Sequence, residues 1–152
     1  MAHVRTQIRN EFKDMLTGRL PTSENYVVFS SRKYMRNHIP ETVIIDMRFL
    51  NDQTRQEETI REDKRIHVAS LYIRVQRSAP EDEIDDLLDQ DEVNIIKAIS
   101  NHDWSELLEE YPELVQTNFS DADAGGHLIG SIVLRFDLEY RIEREEPEVI
   151  ID

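Results

Sequence analysis

SIVLRFDLEYRIE, residues 131–143, is the stretch that decides the fold. Ile132, Leu134, Phe136, Leu138, Tyr140 and Ile142 alternate with Val133, Arg135, Asp137, Glu139, Arg141 and Glu143. A strand turns successive side chains to opposite faces, so this one has an apolar face and a largely charged face. The apolar face needs a core to cover it. The charged face must stay wet or meet a charged neighbour.

Two further segments share this period. TVIIDMRFL, 42–50, sends Val43, Ile45, Met47 and Phe49 one way and Asp46 and Arg48 the other. RIHVASLYIRVQR, 65–77, aligns Ala69, Leu71, Ile73 and Val75. Between them, 51–64 (NDQTRQEETIREDK) is nearly all polar and lacks a two-residue turn signal, which predicts a long, mobile hairpin tip. Shorter strands are expected at 25–30 (NYVVFS) and 114–119 (LVQTNF).

Helical spacing appears at both flanks of this group. Val4, Ile8, Phe12 and Met15/Leu16 recur at threes and fours over 2–17. Gly18 stands where a left-handed cap is expected, and Pro21 prevents resumption. Ser78-Ala-Pro-Glu81 has the pattern of a capping box, predicting a helix that runs to about Ile99. Its inner face is Ile84, Leu87/Leu88, Ile95 and Ile99, with Asp91 interrupting it. A short helix is expected over 103–110, contributing Trp104, Leu107 and Leu108 to the core and ending at Pro112.

These elements add up to an α+β, two-layer domain: a mainly antiparallel sheet of four to five strands with helices packed on one face. The chain of 152 residues suits one domain over 1–143. Residues 144–152 form an acidic C-terminal tail, which either frays or docks its apolar tip on a neighbour. Without cysteine the chain has no disulfide, thiolate zinc site or cysteine nucleophile. No apolar run approaches the ~20 residues of a membrane span, and the N-terminal residues lack a secretory apolar core, so an intracellular protein, or one released by lysis, is expected. The net charge is −14, from 32 acids against 18 Lys and Arg. Such a chain repels nucleic acid unless its bases cluster, although solubility alone accounts for the charge as well.

SDADAGGHLIG, 120–130, is the strongest candidate for a ligand site and holds three of the four glycines. Asp121, Asp123 and Gly126 match positions one, three and six of a calcium loop, but position twelve is Ile132, where a bidentate Glu is needed. As a phosphate cradle it lacks a lysine and a following helix. It reads instead as a turn between strands, with glycines supplying positive φ. The five histidines form no HxH, HExxH or HxxxH pair, and no nucleophile elbow or nucleotide fingerprint is present. The acidic run 81–92 could hold an acid/base pair, but a charge run on a helix is usually a solvated face. The reading is no enzyme, no metal and no cofactor.

The order of pieces resembles the tail-terminator proteins, also called minor tail or tail-completion proteins, of long-tailed bacteriophages. The matching stretches are Phe29 to Arg32, Ile39-Pro40 before TVIIDM, IDDLLDQDEV, and DADAGG followed by IVLRFDLEYRI. The acidic balance and the extension past the last Tyr depart from that pattern.

The resemblance implies a virion protein at the head-proximal end of the tail, assembled in the host cytoplasm. It implies a ring, commonly of six copies, that caps the tail tube, stops its polymerisation and provides the surface joining the head. Its partners are then itself, the tube protein and a connector or head-completion protein. DNA passes through without specific binding, and no membrane takes part. The expected contact residues are Arg32, Lys33 and Arg36 in the basic linker, Glu57, Glu58 and Arg61 in the hairpin, Asp121 and Asp123 in the glycine loop, and Arg135, Asp137, Glu139 and Arg141 on the last strand. Plain solvent-exposed loop is the competing reading for the linker and the hairpin. For the whole chain the competitors are another neck or head-closure component, an acidic mimic of DNA that occupies a DNA-binding protein, and a small enzyme without a motif.

Overall fold

The computed structural model describes the backbone of residues 3–30, 42–55, 64–124, 127–143 and 146–150, and the side chains of 3–30, 42–51, 66–120 and 129–141. In chain order the elements are α1 (Val4–Arg19), β1 (Tyr26–Val28), β2 (Val43–Arg55), β3 (Lys64–Ala79), α2 (Ile84–Ser100), β4 (Glu113–Ala124), β5 (His127–Glu143) and β6 (Glu146–Ile150). The strand order is β1-β2-β3-β5-β4, with β6 added to β5. Among the described residues β1 and β2 pair in parallel and the other pairs are antiparallel. The result is an α+β fold with a mixed sheet and its helices on one face.

β5 lies inside the sheet, between β3 and β4, and takes the alternation foreseen for it. Ile132, Leu134, Phe136, Leu138 and Tyr140 are all buried. Beside them stand Ala69, Leu71, Ile73 and Val75 of β3 and Val43, Ile45 and Met47 of β2, all in one core with the apolar faces of α1 and α2. The register makes this possible: Leu71 faces Phe136 and Ile73 faces Leu134, so apolar positions meet apolar positions across the ladder. Among the described residues, bulges at Leu50 in β2 and at Val115 in β4 break the pairing, and the register of β6 on β5 shifts between Ile142 and Glu143. Each extra residue is thrown outward, which is why both side chains are exposed.

α1 buries Val4, Ile8, Phe12, Met15 and Leu16, the stripe that its spacing predicts. Gly18 is not a left-handed cap. It lies within the helix, and Leu20, in extended conformation, closes it by donating its N–H to the Leu16 carbonyl at 3.0 Å. At the other end the His3 ring accepts from the Arg5 N–H at 3.0 Å. α2 begins later than expected. Ser78 still belongs to β3, opposite Ile129, so it cannot act in a capping box. Pro80 turns the chain instead: its carbonyl accepts from Glu83 and Ile84. Asp85 and Asp86 in the first turn and Lys97 in the last suit the helix dipole.

The short helix expected over 103–110 is absent. That segment is a run of turns in which Leu107 and Leu108 both donate to the Trp104 carbonyl. Trp104 anchors it: the buried indole donates to the Ile99 carbonyl at 2.9 Å and packs on Phe12, ring centres 4.4 Å apart. Apolar burial and one satisfied N–H hold this segment without a helix. The glycine loop is also shorter than its composition suggests. β4 and β5 pair from Glu113↔Asp137 out to Ala124↔His127, so Asp121 and Asp123 are strand residues opposite Gly130 and Leu128. Residues 146–150 of the acidic tail form β6 on β5, in the same chain, and lie beside α1.

Gly130 is a point of close approach. A Cβ there would sit 2.7 Å from Ile84 Cγ1 and 2.8 Å from Leu88 Cδ1, so the absence of a side chain lets α2 settle on β5. Gly130→Ala should cost about 1–3 kcal/mol through overpacking, read as a lower urea midpoint with unchanged slope. Trp104→Ala should cost about 3–5 kcal/mol, and thermal unfolding would order the two variants accordingly.

Candidate interaction surface and the buried ion pair behind it

Arg77 continues the inward phase of β3 after Ala69, Leu71, Ile73 and Val75, so the strand carries its guanidinium into the layer between sheet and helices. Asp91 projects there from the middle of α2. The side chains meet through two parallel bonds: Arg77 Nε donates to Asp91 Oδ2 at 2.8 Å, and Nη2 donates to Oδ1 at 2.7 Å. Arg77 is 6% exposed and Asp91 1%. The Tyr26 hydroxyl of β1 donates to Asp91 Oδ1 at 2.6 Å and accepts from Asn94 Nδ2 at 3.2 Å. Glu24 Oε2 lies 3.5 Å from Arg77 Nη2.

Burial pushes the Asp91 carboxyl above its ordinary range, while the Tyr26 hydroxyl and the Arg77 guanidinium pull the other way. Burial, with the bond to Asp91, also raises the Tyr26 phenol. The cluster holds β1, β3 and α2 together.

The opposite face of the sheet carries no described helix. Asp46, Ser70, Tyr72, Arg74, Val133, Arg135 and Asp137 lie on it by register. Its charges are partly spent within the chain. Arg74 pairs with Asp46. Ser70 Oγ donates to Asp137 Oδ1 at 3.1 Å, and Arg135 Nε donates to the same oxygen at 3.4 Å. Arg141 Nε lies 2.8 Å from Glu109 Oε1, and the Glu109 N–H is bonded to the Glu139 carbonyl. The row expected to meet neighbouring subunits therefore stands half-buried, with the charges of Arg135, Asp137 and Arg141 held by partners within the chain.

The last strand of the sheet, β4, presents a third surface. It pairs with β5 on one side, and among the described residues no strand pairs with the other. Phe119 is 61% exposed, Tyr111 60% and Val115 43%. Above them α2 turns one flank toward β4: the Thr117 hydroxyl donates to Glu92 Oε1 at 2.9 Å. Asp85 and Asp89 precede Glu92 by seven and three residues and so share that flank.

Of the twelve expected contact residues, Arg135, Asp137, Glu139 and Arg141 share the helix-free face. Asp121 and Asp123 lie in β4, on the free edge. Arg32, Lys33, Arg36, Glu57, Glu58 and Arg61 fall outside the described residues. The acidic run is a solvated face at Asp85, Asp86 and Asp89, but Asp91 is buried. Sequence reasoning passed over Arg77, Tyr26 and the exposed Phe119. Arg77 did carry a signal, as an arginine in the apolar phase of a strand.

Among the described residues no group of three or more His, Asp or Glu could hold a metal ion, and no helix is long and apolar enough to cross a membrane. No protein-family model matches the chain, and no curated protein matches it as a relative.

Arg77→Met leaves the Asp91 carboxylate buried without its cation and should cost about 3–5 kcal/mol in chemical unfolding. Arg77→Met/Asp91→Leu should recover most of that loss, since an apolar pair needs no such partner. The single variant should also depend more strongly on pH, since Asp91, already raised by burial, loses the cation that pulls it down. Its folded-state Asp91 would protonate well above the unfolded value of ~3.9, so in the window between the two the folded state binds more protons. Its stability should therefore rise as pH falls through that window, narrowing the gap to wild type.

Proposed function

We propose that this protein is a tail terminator of a long-tailed bacteriophage: a ring of copies that caps the tail tube, ends its polymerisation and offers the surface to which the head joins. The observation that supports it most is the pairing of a helix-free sheet face, studded with fixed charges of both signs, with a long free strand at one end of the same sheet. A face bearing Arg74, Arg135 and Arg141 among Asp46, Asp137 and Glu139 suits register and orientation against another protein better than capture of a small molecule. A free strand supplies backbone donors and acceptors to whatever extends the sheet.

The order of elements in the sequence supplies the rest of the reading. A terminator must stop growth at a fixed number of copies, and a heterologous interface does so when its rotation closes. The same mixture of signs counts against a DNA mimic, which would display carboxylates at phosphate-like spacing along one surface. The exposed acids of α2 form one short row, and the arginines of the sheet interrupt any continuation.

Electron microscopy of particles made without this protein tests the reading. Overlong tails without heads are the expected result. Leaking heads beside free tails of normal length would reassign it to head closure, and normal virions would reject both.

A further inference from the structure

We propose that copies of this chain meet head to tail through the two flanks of the helical layer: the basic flank of α1, over the outer half of β2, docks on the acidic flank of α2, over β4, of the next copy. The inference rests on the preceding reading for the closure of a ring, and it names the contact between copies.

The two flanks are built alike and differ in sign. Val4, Ile8, Phe12, Met15 and Leu16 of α1 face the core. At about 100° per residue, Arg5, Arg9 and Lys13 fall in one row beside that stripe, while the acids Glu11 and Asp14 fall on the other side of the helix. The acidic side looks toward α2, since Glu11 Oε1 lies 2.8 Å from Nε2 of His102, just past the end of that helix. The basic row looks away from it, toward β2: the Arg9 guanidinium lies over the Phe49 ring, 5.8 Å from its centre. Leu50, at the bulge beside Phe49, is exposed. β1 pairs with Val43 to Ile45, and past them no strand among the described residues lies outside β2.

At the other end of the sheet the same construction carries the opposite charge. Asp85, Asp89 and Glu92 form one row on α2, and the one base of that helix is Lys97, in its last turn. Thr117 of β4 holds Glu92, and next to it Phe119 and the bulged Val115 stand exposed. Each flank is thus a charged helix row above an apolar spot on an outer strand. The strand order sets β2 and β4 toward opposite ends of the sheet, so the two flanks face opposite ways.

That arrangement selects the occupant. The rows match in length: at a rise of 1.5 Å per residue, Arg5 to Lys13 spans about 12 Å and Asp85 to Glu92 about 10 Å. Run antiparallel, as the helix dipoles favour, they set Arg5 against Glu92, Arg9 against Asp89 and Lys13 against Asp85. Phe119 and Val115 then meet Leu50 and Phe49. The apolar area supplies affinity, and the charges supply register and direction. Neither flank suits its own copy, because acids would oppose acids and bases would oppose bases. A contact between unlike flanks leaves one of each kind open on every pair, so it repeats, and it closes into a ring when its rotation permits.

Sedimentation velocity of the purified full chain tests this with charge reversals. One variant is Asp85→Lys/Asp89→Lys, the second is Arg9→Glu/Lys13→Glu, and a third carries all four substitutions. Circular dichroism melts verify that each stays folded, and Phe119→Ala tests the apolar spot without touching a charge. Wild type should assemble. Each double reversal should lose at least about tenfold in association constant, and Phe119→Ala should weaken assembly with an unchanged melt. The fourfold variant should recover most of the loss, because its signs are exchanged and the Arg5–Glu92 pair is kept. Double reversals that assemble as wild type does, or a fourfold variant no better than the double ones, would overturn this contact and leave the ring reading standing. A wild type that stays monomeric would overturn it and give the two flanks to other proteins. Normal virions without the protein would overturn the function and not the contact.

Discussion

The layers of this protein are joined by a salt bridge that the core would not tolerate half-made. Arg77 and Asp91 are both withdrawn from water, and each is acceptable there only because the other is present. The bidentate geometry fixes the rotation of α2 over β3. The Tyr26 hydroxyl then ties β1, only three residues long, to the same carboxylate. β1 is the one parallel strand of the sheet and has little pairing of its own to hold it. Its ladder with β2 is short, and the packing of Tyr26 and Val28 on the core, the bond from Asn94 to the Tyr26 hydroxyl and the contact of Glu24 with Arg77 add to it.

A second constraint acts at the far end of α2. Gly130 lets Ile84 and Leu88 approach the backbone of β5, so the helix is pinned by charge near its middle and by close packing near its start. The two pins determine where the outer flank of α2 points. With Leu88 down on Gly130 and Asp91 turned toward Arg77, Glu92 comes to Thr117, and Asp89 and Asp85, one and two turns earlier, lie on the same flank of α2. The acidic border of the free edge therefore follows from how the interior is locked.

The legible part of this fold is the part written in period two. Strands 42–50, 65–77 and 131–143 disclose their buried faces because alternation tolerates no slip, and on the helix-facing side the register matches apolar to apolar from Ala69↔Leu138 to Val75↔Ile132. What was misread depends on contacts between distant residues. Trp104 looks like a helix residue by composition, but its indole is held by the Ile99 carbonyl and Phe12, and the surrounding turns follow from that. Ser78 looks like a cap, but strand pairing with Ile129 claims it first. Residues 146–150 look like a solvated tail because their acids mask a short strand that needs β5 beside it. The candidate surface divides in the same way. Arg135 to Arg141 were visible from alternation, whereas the free edge, a property of strand order, was not.

The two ends of the sheet are unlike, and this asymmetry constrains how copies can associate. An isologous pair needs one surface complementary to itself, and β4 is not: its charge is of one sign at the border, and its bulge interrupts the template at Val115. At the other end the strand is too short to serve as a template. Association by sheet extension would thus bring unlike surfaces together, and such a contact repeats from copy to copy, closing into a ring if its rotation permits and otherwise running on as a filament. The charge of −14 per chain works in the same direction. At that charge copies repel one another at long range, and only a local meeting of opposite charges would offset the repulsion.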